Sequence, residues 1–246
     1  MPAMSSSNPS CVRPALWRRF LPAVFSSVLG AALIAPTAHA LPASPARAQA
    51  PASSLTAPAA ELLQWVAHTG NNEGRPYVVV DKRQARIWVF DGQHRPLAST
   101  AALLGLTVGD QEVADIRSRD VRTLAPQARI TPAGRFVTEP GVNLSGEDVV
   151  WMDYEAGLAM HRVRPGLAQA ARLKRLAAEM PSQQRVSMGC VVLPVAFYLD
   201  VIQPLLGQRS GVVYVLPEQS ALKPWLARWE QGLHSAKAAH AAQTDL

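Results

Sequence analysis

Apolar and polar positions divide the chain into a leading segment, a spacer, a folded region and a tail. A mostly apolar run spans Phe20 to Ala35, interrupted by Pro22, Ser26 and Ser27. From Leu41 to about Pro58 the chain is largely Ala, Pro, Ser and Leu, a mixture without the apolar bulk or period to fold alone, and it reads as a spacer. Ala60 to His68 has helical spacing and ends at Gly70 with Asn71, Asn72 and Gly74. Strand patterns follow at Tyr77–Val80 and Arg86–Phe90, then a tight turn at Asp91–Gly92 and a strand pattern from Leu97 to Leu104. Gly109 to Ile130 is mostly polar and without a clear period, which predicts a long surface loop with one helical turn. Thr131–Phe136, Val149–Met152 and Leu158–Val163 return to strand, and Gly166–Met180 predicts an amphipathic helix. Pro194–Ile202 reads as a helix, Val212–Val215 as the last strand, and Ser220 to about Ala242 as a helix packed on the domain through Trp225, Leu226, Trp229 and Leu233.

This pattern predicts one mainly β domain with flanking helices, organised as a leader over 1–40, a spacer over 41–58, a folded domain over 59–218 and a helical tail over 219–246. No internal repeat is present. Arg13, Arg18 and Arg19 precede the apolar run and Ala38-His39-Ala40 follows it, which is the layout of a secretory signal peptide with cleavage near Ala40. About sixteen residues is short for a membrane span, so no stable span is expected after cleavage and the protein is expected in the periplasm or cell envelope. Cys11 precedes the apolar run, so it is not placed for lipidation.

Charge narrows the partners only a little. The 24 basic side chains include the three leader arginines, so the mature chain has 21 against 18 acidic ones, a net charge of +3. It has no long basic run and no aromatic-basic ladder, so nucleic acid is not an expected partner. Cleavage also removes Cys11 and leaves Cys190 as the one cysteine, which can form no internal disulfide in an oxidising compartment.

Ser187-Met188-Gly189-Cys190 places that thiol after a glycine and before an apolar pair that should enter the core. A glycine there admits backbone angles closed to other residues, and successive N–H groups of Gly189 and Cys190 could face a developing oxyanion. A thiol with an ordinary pKa near 8.5 needs a base to become a nucleophile at neutral pH. Of the mature histidines, His68 borders the spacer, His94 lies in a turn, and His234 and His240 lie in the tail. His161 alone stands in a strand pattern able to run beside Cys190.

The order of a strand pair, Thr131-Pro132-Ala133-Gly134-Arg135-Phe136, a strand carrying His161, and Ser187-Met188-Gly189-Cys190 resembles the L,D-transpeptidase catalytic domain, also called YkuD-like, over roughly 76–218. That resemblance implies a β-sandwich-like fold in which Cys190 attacks a carbonyl of a peptidoglycan stem peptide and His161 takes the thiol proton. The carbonyl of Arg162 would orient the imidazole, Gly189 and Cys190 would supply oxyanion donors, and Ser187 belongs to the same motif. Neither metal nor organic cofactor is implied.

The sequence departs from the family pattern at several positions. Met188 replaces a histidine often found there, Arg162 stands where many members have glycine, and 29 residues separate His161 from Cys190, a distance the 166–180 helix would account for as an insertion. Val192 occupies the position of a common arginine or asparagine, so Arg162 and Arg185 are the nearest candidates to dock a substrate carboxylate in its place. The 166–180 helix and the 109–130 loop are expected to flank the cleft. Two other functions fit the same residues. Water as acceptor would make the chain an L,D-carboxypeptidase or amide hydrolase, and a buried, inert Cys190 would leave a wall-binding module. Oligomeric state has no signature in the sequence.

Overall fold

The computed structural model describes residues 54–232 except 114–115, 117–119 and 121–122; the leader, most of the spacer and the end of the tail lie outside the described residues. Helix α1 (Ala57–Thr69) begins where the Thr56 hydroxyl accepts the Ala59 N–H at 3.4 Å and donates to Asp81 at 2.7 Å. It ends at Gly70, whose left-handed φ of 62° lets its N–H return to the Val66 carbonyl. Pro58 sits in the first turn, where a proline needs no N–H donor, and the helix starts earlier than the pattern predicts.

Eleven strands follow: β1 (Tyr77–Asp81), β2 (Arg86–Phe90), β3 (Pro96–Ala101), β4 (Leu104–Gly105), β5 (Gly134–Val137), β6 (Glu139–Val142), β7 (Asp148–Asp153), β8 (Leu158–Arg162), β9 (Arg185–Ser187), β10 (Val191–Leu193) and β11 (Val212–Val215). They form a five-stranded sheet ordered β3-β2-β1-β11-β5, a four-stranded sheet ordered β10-β8-β7-β6, and a β4-β9 pair. The two larger sheets stack face to face. Val78, Val80, Ile87, Val89, Val213 and Val215 from the first meet Val150, Met152, Leu158, Met160, Val191 and Leu193 from the second. The fold is thus mainly β with helices outside, as the sequence predicts.

The central strands β1 and β11 of the five-stranded sheet are buried on both faces, which is why Tyr77-Val78-Val79-Val80 and Val212-Val213-Tyr214-Val215 are continuous apolar runs. Its outer residues, Tyr77, Val79, Trp88, Phe90, Val212 and Tyr214, pack under Leu62 and Val66 of α1 and under Leu226 and Trp229 of a helix over 223–232.

Two predicted helices have different bounds. Helix α2 covers only Gln169–Leu176, and Leu176 is its one buried residue. The helix after β10 runs further, through α3 (Val195–Phe197), a π-helical stretch (Tyr198–Ile202) and α4 (Gln203–Leu206). Pro204 cannot donate a main-chain hydrogen bond, and the preceding wide turn, in which Gln203 N–H reaches the Tyr198 carbonyl, absorbs it without ending the helix. Strand β6 has no counterpart among the predicted strands; it contains Pro140 and Gly141 and lies at a sheet edge, where a missing donor is tolerated.

Candidate active site

Strand alternation decides which side chains share a face. β10 and β8 run parallel, with Val191 opposite Met160, Val192 opposite His161 and Leu193 opposite Arg162. Met160, Val191 and Leu193 point into the core between the sheets. Residues one step away, His161 and Val192, therefore project side by side from the outer face. Cys190 joins that face, packing with Leu103, Val163, Leu176 and Val192. The structure thus brings the thiol and the imidazole onto one face of adjacent strands.

The thiol loop is held from both sides. Gly189 has φ +135°, and a Cβ there would lie 2.7 Å from the Ile130 carbonyl oxygen, so glycine is required both for the angle and for the close approach. Thr131 Oγ1 donates to the Gly189 carbonyl at 2.7 Å while accepting the Gly105 N–H at 2.8 Å. Ser187 Oγ accepts the Gly189 N–H at 3.1 Å and donates to the Cys190 carbonyl at 2.6 Å. In this arrangement the Gly189 N–H is engaged by Ser187.

His161 Nδ1 lies 2.7 Å from the Arg162 carbonyl oxygen. A carbonyl only accepts, so Nδ1 carries the proton and Nε2 keeps a free lone pair. Burial lowers the His161 pKa to about 4; the Arg162 carbonyl opposes that shift, the charges of Arg164 and Arg172 add to it, and Glu147 opposes it. Burial raises the Cys190 thiol above its ordinary value, against the Ala159 N–H, the Arg164 charge and its own N–H. The thiol hydrogen bond goes to the Gly157 carbonyl at 3.5 Å. Burial thus favours the neutral form of both groups.

Beside Cys190 lies a narrow cavity of about 30 Å³, lined among others by Ile116, Leu124, Ala128, Ile130, Phe136 and Met188. Four of these, Ile116, Leu124, Ala128 and Ile130, belong to the segment predicted to be a surface loop. Ile116, Leu124 and Ala128 are 8%, 3% and 8% exposed and form a small apolar cluster of their own. Scattered single apolar residues give no period, so the sequence does not show that they fold inward. On the other side Leu176 of α2 packs on Val163 and Val192. The loop and the helix thus both lie next to the thiol, as expected.

The two arginines expected to dock substrate are elsewhere. Arg162 has the opposite strand parity from His161; its Nη1 meets Asp148 Oδ1 at 2.5 Å and its guanidinium lies 5.6 Å from the Tyr198 ring centroid. Arg185 binds both carboxylate oxygens of Glu218 and the Lys82 carbonyl. Lys82 is itself buried, donating to the Gly109 carbonyl, to Asp110 at 3.0 Å and to the Thr131 carbonyl at 3.0 Å. Burial of Asp110 is outweighed by hydrogen bonds from the Glu218 N–H and Lys82, which hold its pKa at about 2. Reading the chain residue by residue missed this cluster, since Lys82 follows β1 in what looks like an ordinary polar turn. It ties the ends of the 109–130 loop to β9 and thus braces Thr131 against the thiol loop.

Among the described residues no group of three or more His, Cys, Asp or Glu is placed to hold a metal ion, and no helix is long and apolar enough to cross a membrane. No family model and no curated protein matches the chain. Solved structures do. An L,D-transpeptidase of Enterococcus faecium, solved as a mutant, is 19% identical over 58% of this chain and 50% of its own, with a TM-score of 0.33. The L,D-transpeptidase from Mycobacterium smegmatis is 18% identical over 57% and 58%, with a TM-score of 0.32. The helical cell shape determining protein Pgp2 from Campylobacter jejuni is 14% identical over 71% and 61%, with a TM-score of 0.38. The chain resembles L,D-transpeptidase catalytic domains. It spans 50% to 61% of the length of the three solved chains described.

Proposed function

We propose that the chain is an exported cysteine acyltransferase acting on peptidoglycan stem peptides, an L,D-transpeptidase of the cell envelope. The observation that carries this reading is the shared outer face of β8 and β10. Cys190 and His161 project from it, and the imidazole is held by the Arg162 carbonyl so that Nε2 remains a base.

In the first step the Cys190 proton passes to His161 Nε2 as sulfur attacks the stem-peptide carbonyl. The carbon–nitrogen bond then breaks, the imidazolium proton goes to the leaving amine, and a thioester remains. An amine from a second stem attacks that thioester, gives its proton back to His161 and releases the thiol. The Cys190 N–H would donate to the oxyanion; use of the Gly189 N–H as well would require it to leave Ser187.

Incubation with purified stem tetrapeptides, followed by mass spectrometry of the products, tests this reading. Cross-linked dimers that depend on Cys190 are expected. Tripeptide without dimers would identify water as the acceptor and a carboxypeptidase, and unchanged tetrapeptide would overturn the proposal.

A further inference from the structure

Val192 and His161 lie side by side, so the face that bears Cys190 has an apolar side chain next to the imidazole. Two arginines approach that face from other elements. Arg164 follows β8 and is drawn beside it by Glu147, with Nε 3.1 Å from Glu147 Oε2. That oxygen also accepts the Asn143 side-chain amide at 3.0 Å, and the Arg164 Nε is buried without a hydrogen bond. The arginine side chain is nonetheless 42% exposed, so part of it reaches solvent. Arg172 lies one turn before Leu176 on α2 and hence on the same side of the helix. Leu176 packs directly on Val163 and Val192, which turns Arg172 toward the same sheet face. Among the described residues its guanidinium has no hydrogen-bond or carboxylate partner. The charges of both arginines act on the His161 ring, and that of Arg164 acts on Cys190 as well. Arg172 thus adds a second guanidinium charge near His161 to the Arg164–Glu147 pair.

We propose that Arg164 and Arg172 form a carboxylate-binding site beside His161 that holds a free carboxylate of the acyl donor next to the bond Cys190 attacks. The inference rests on the proposed function and adds a requirement to it: a donor whose neighbouring carboxylate is replaced by a neutral amide is a poor substrate. A guanidinium pair suits a carboxylate because each offers two parallel donors in a plane.

Alkylation of Cys190 by iodoacetate and by iodoacetamide separates docking from thiol activation. The same sulfur attacks both reagents, so the ratio of their rates does not depend on how much thiolate is present. The wild-type ratio of iodoacetate to iodoacetamide is expected to exceed that of free cysteine, and to fall by about tenfold in the double variant Arg164→Gln, Arg172→Gln, the loss of at least one charge-assisted hydrogen bond. Each single variant should fall part of the way, and Arg164→Lys should retain most of the ratio. Lys174→Gln, on the opposite side of α2, should leave it unchanged. A wild-type ratio equal to that of free cysteine, or one unchanged in a double variant whose folding is verified by circular dichroism, would overturn the site. A second arm compares a tetrapeptide donor with its C-terminal carboxamide by intact mass. Equal thioester formation from both would overturn the docking while leaving the acyltransferase reading intact. Formation from neither would overturn the acyltransferase reading, and the alkylation ratio would still decide the docking.

Discussion

The two sheets differ at their outer faces. That of the five-stranded sheet is sealed by α1 and the 223–232 helix, and every strand residue on its central strands is buried. That of the four-stranded sheet has a thinner cover, with Leu176 of α2 over Val163 and Val192, and it carries a half-buried thiol and a half-buried imidazole. Parallel strand pairs thus lie under a full cover in one sheet and under a partial one in the other. The covered face takes its stability from apolar area, whereas the other gives up some area to keep two polar groups near solvent without full hydration.

The largest effect that would test this contrast is on reactivity. His161→Gln should lower the acyl-transfer rate by about a hundred- to ten-thousandfold, because it removes the group that accepts the thiol proton, while the melting temperature changes little. In wild type, alkylation by iodoacetamide should rise with pH through a midpoint above that of free cysteine, since burial favours the neutral thiol. A plateau between pH 5 and pH 7, the mark of a thiolate held by imidazolium, would contradict the neutral pair.

Next comes packing. Leu62→Ala on the sealed face should cost about 2–5 kcal/mol, measured by denaturant unfolding, and leave Cys190 alkylation unchanged in the folded protein. Gly189→Ala should do the reverse in character. Its φ of +135° and the 2.7 Å approach to the Ile130 carbonyl displace the thiol loop, so reactivity falls more than stability.

The smallest effect is the pH dependence of stability. His161 has a folded pKa of about 4 against an ordinary 6.5. Between those values the unfolded chain binds a proton that the folded chain refuses, so stability is complete above pH 6.5 and falls as the pH drops toward 4. The loss is at most about 3 kcal/mol. Unfolding measured across that window should lose this component in His161→Gln; an unchanged slope would show that His161 is hydrated.

What could be read from the sequence follows the same division. β1, β2 and β11 are legible within one residue because burial on both faces leaves uninterrupted apolar runs. Cys190 and His161 could be singled out because few residue types suit a nucleophile and a base and the sequence offers few alternatives; the structure places both on the outer face of β8 and β10. Arg162 and Arg185 were natural docking candidates by proximity in sequence, but strand parity turns Arg162 to the other face and Glu218 captures Arg185 from 33 positions away. Arg164 and Arg172 could not be singled out, because Arg164 is placed by Glu147 and Arg172 by the way Leu176 of α2 packs on the sheet, neither of which has a local signature. The inward fold of Ile116 and Leu124 was hidden for a related reason: a loop that buries isolated residues has no repeat to reveal it.

The central claim is that Cys190 is a nucleophile aided by His161, and intact-mass analysis of the protein after exposure to a stem tetrapeptide tests it most directly. The account predicts an adduct equal to the peptide less its terminal residue, mapped to Cys190, absent in Cys190→Ala and formed far more slowly in His161→Gln. An adduct that persists without the thiol, or a wild-type protein that stays unmodified by an excess of donor, would contradict it.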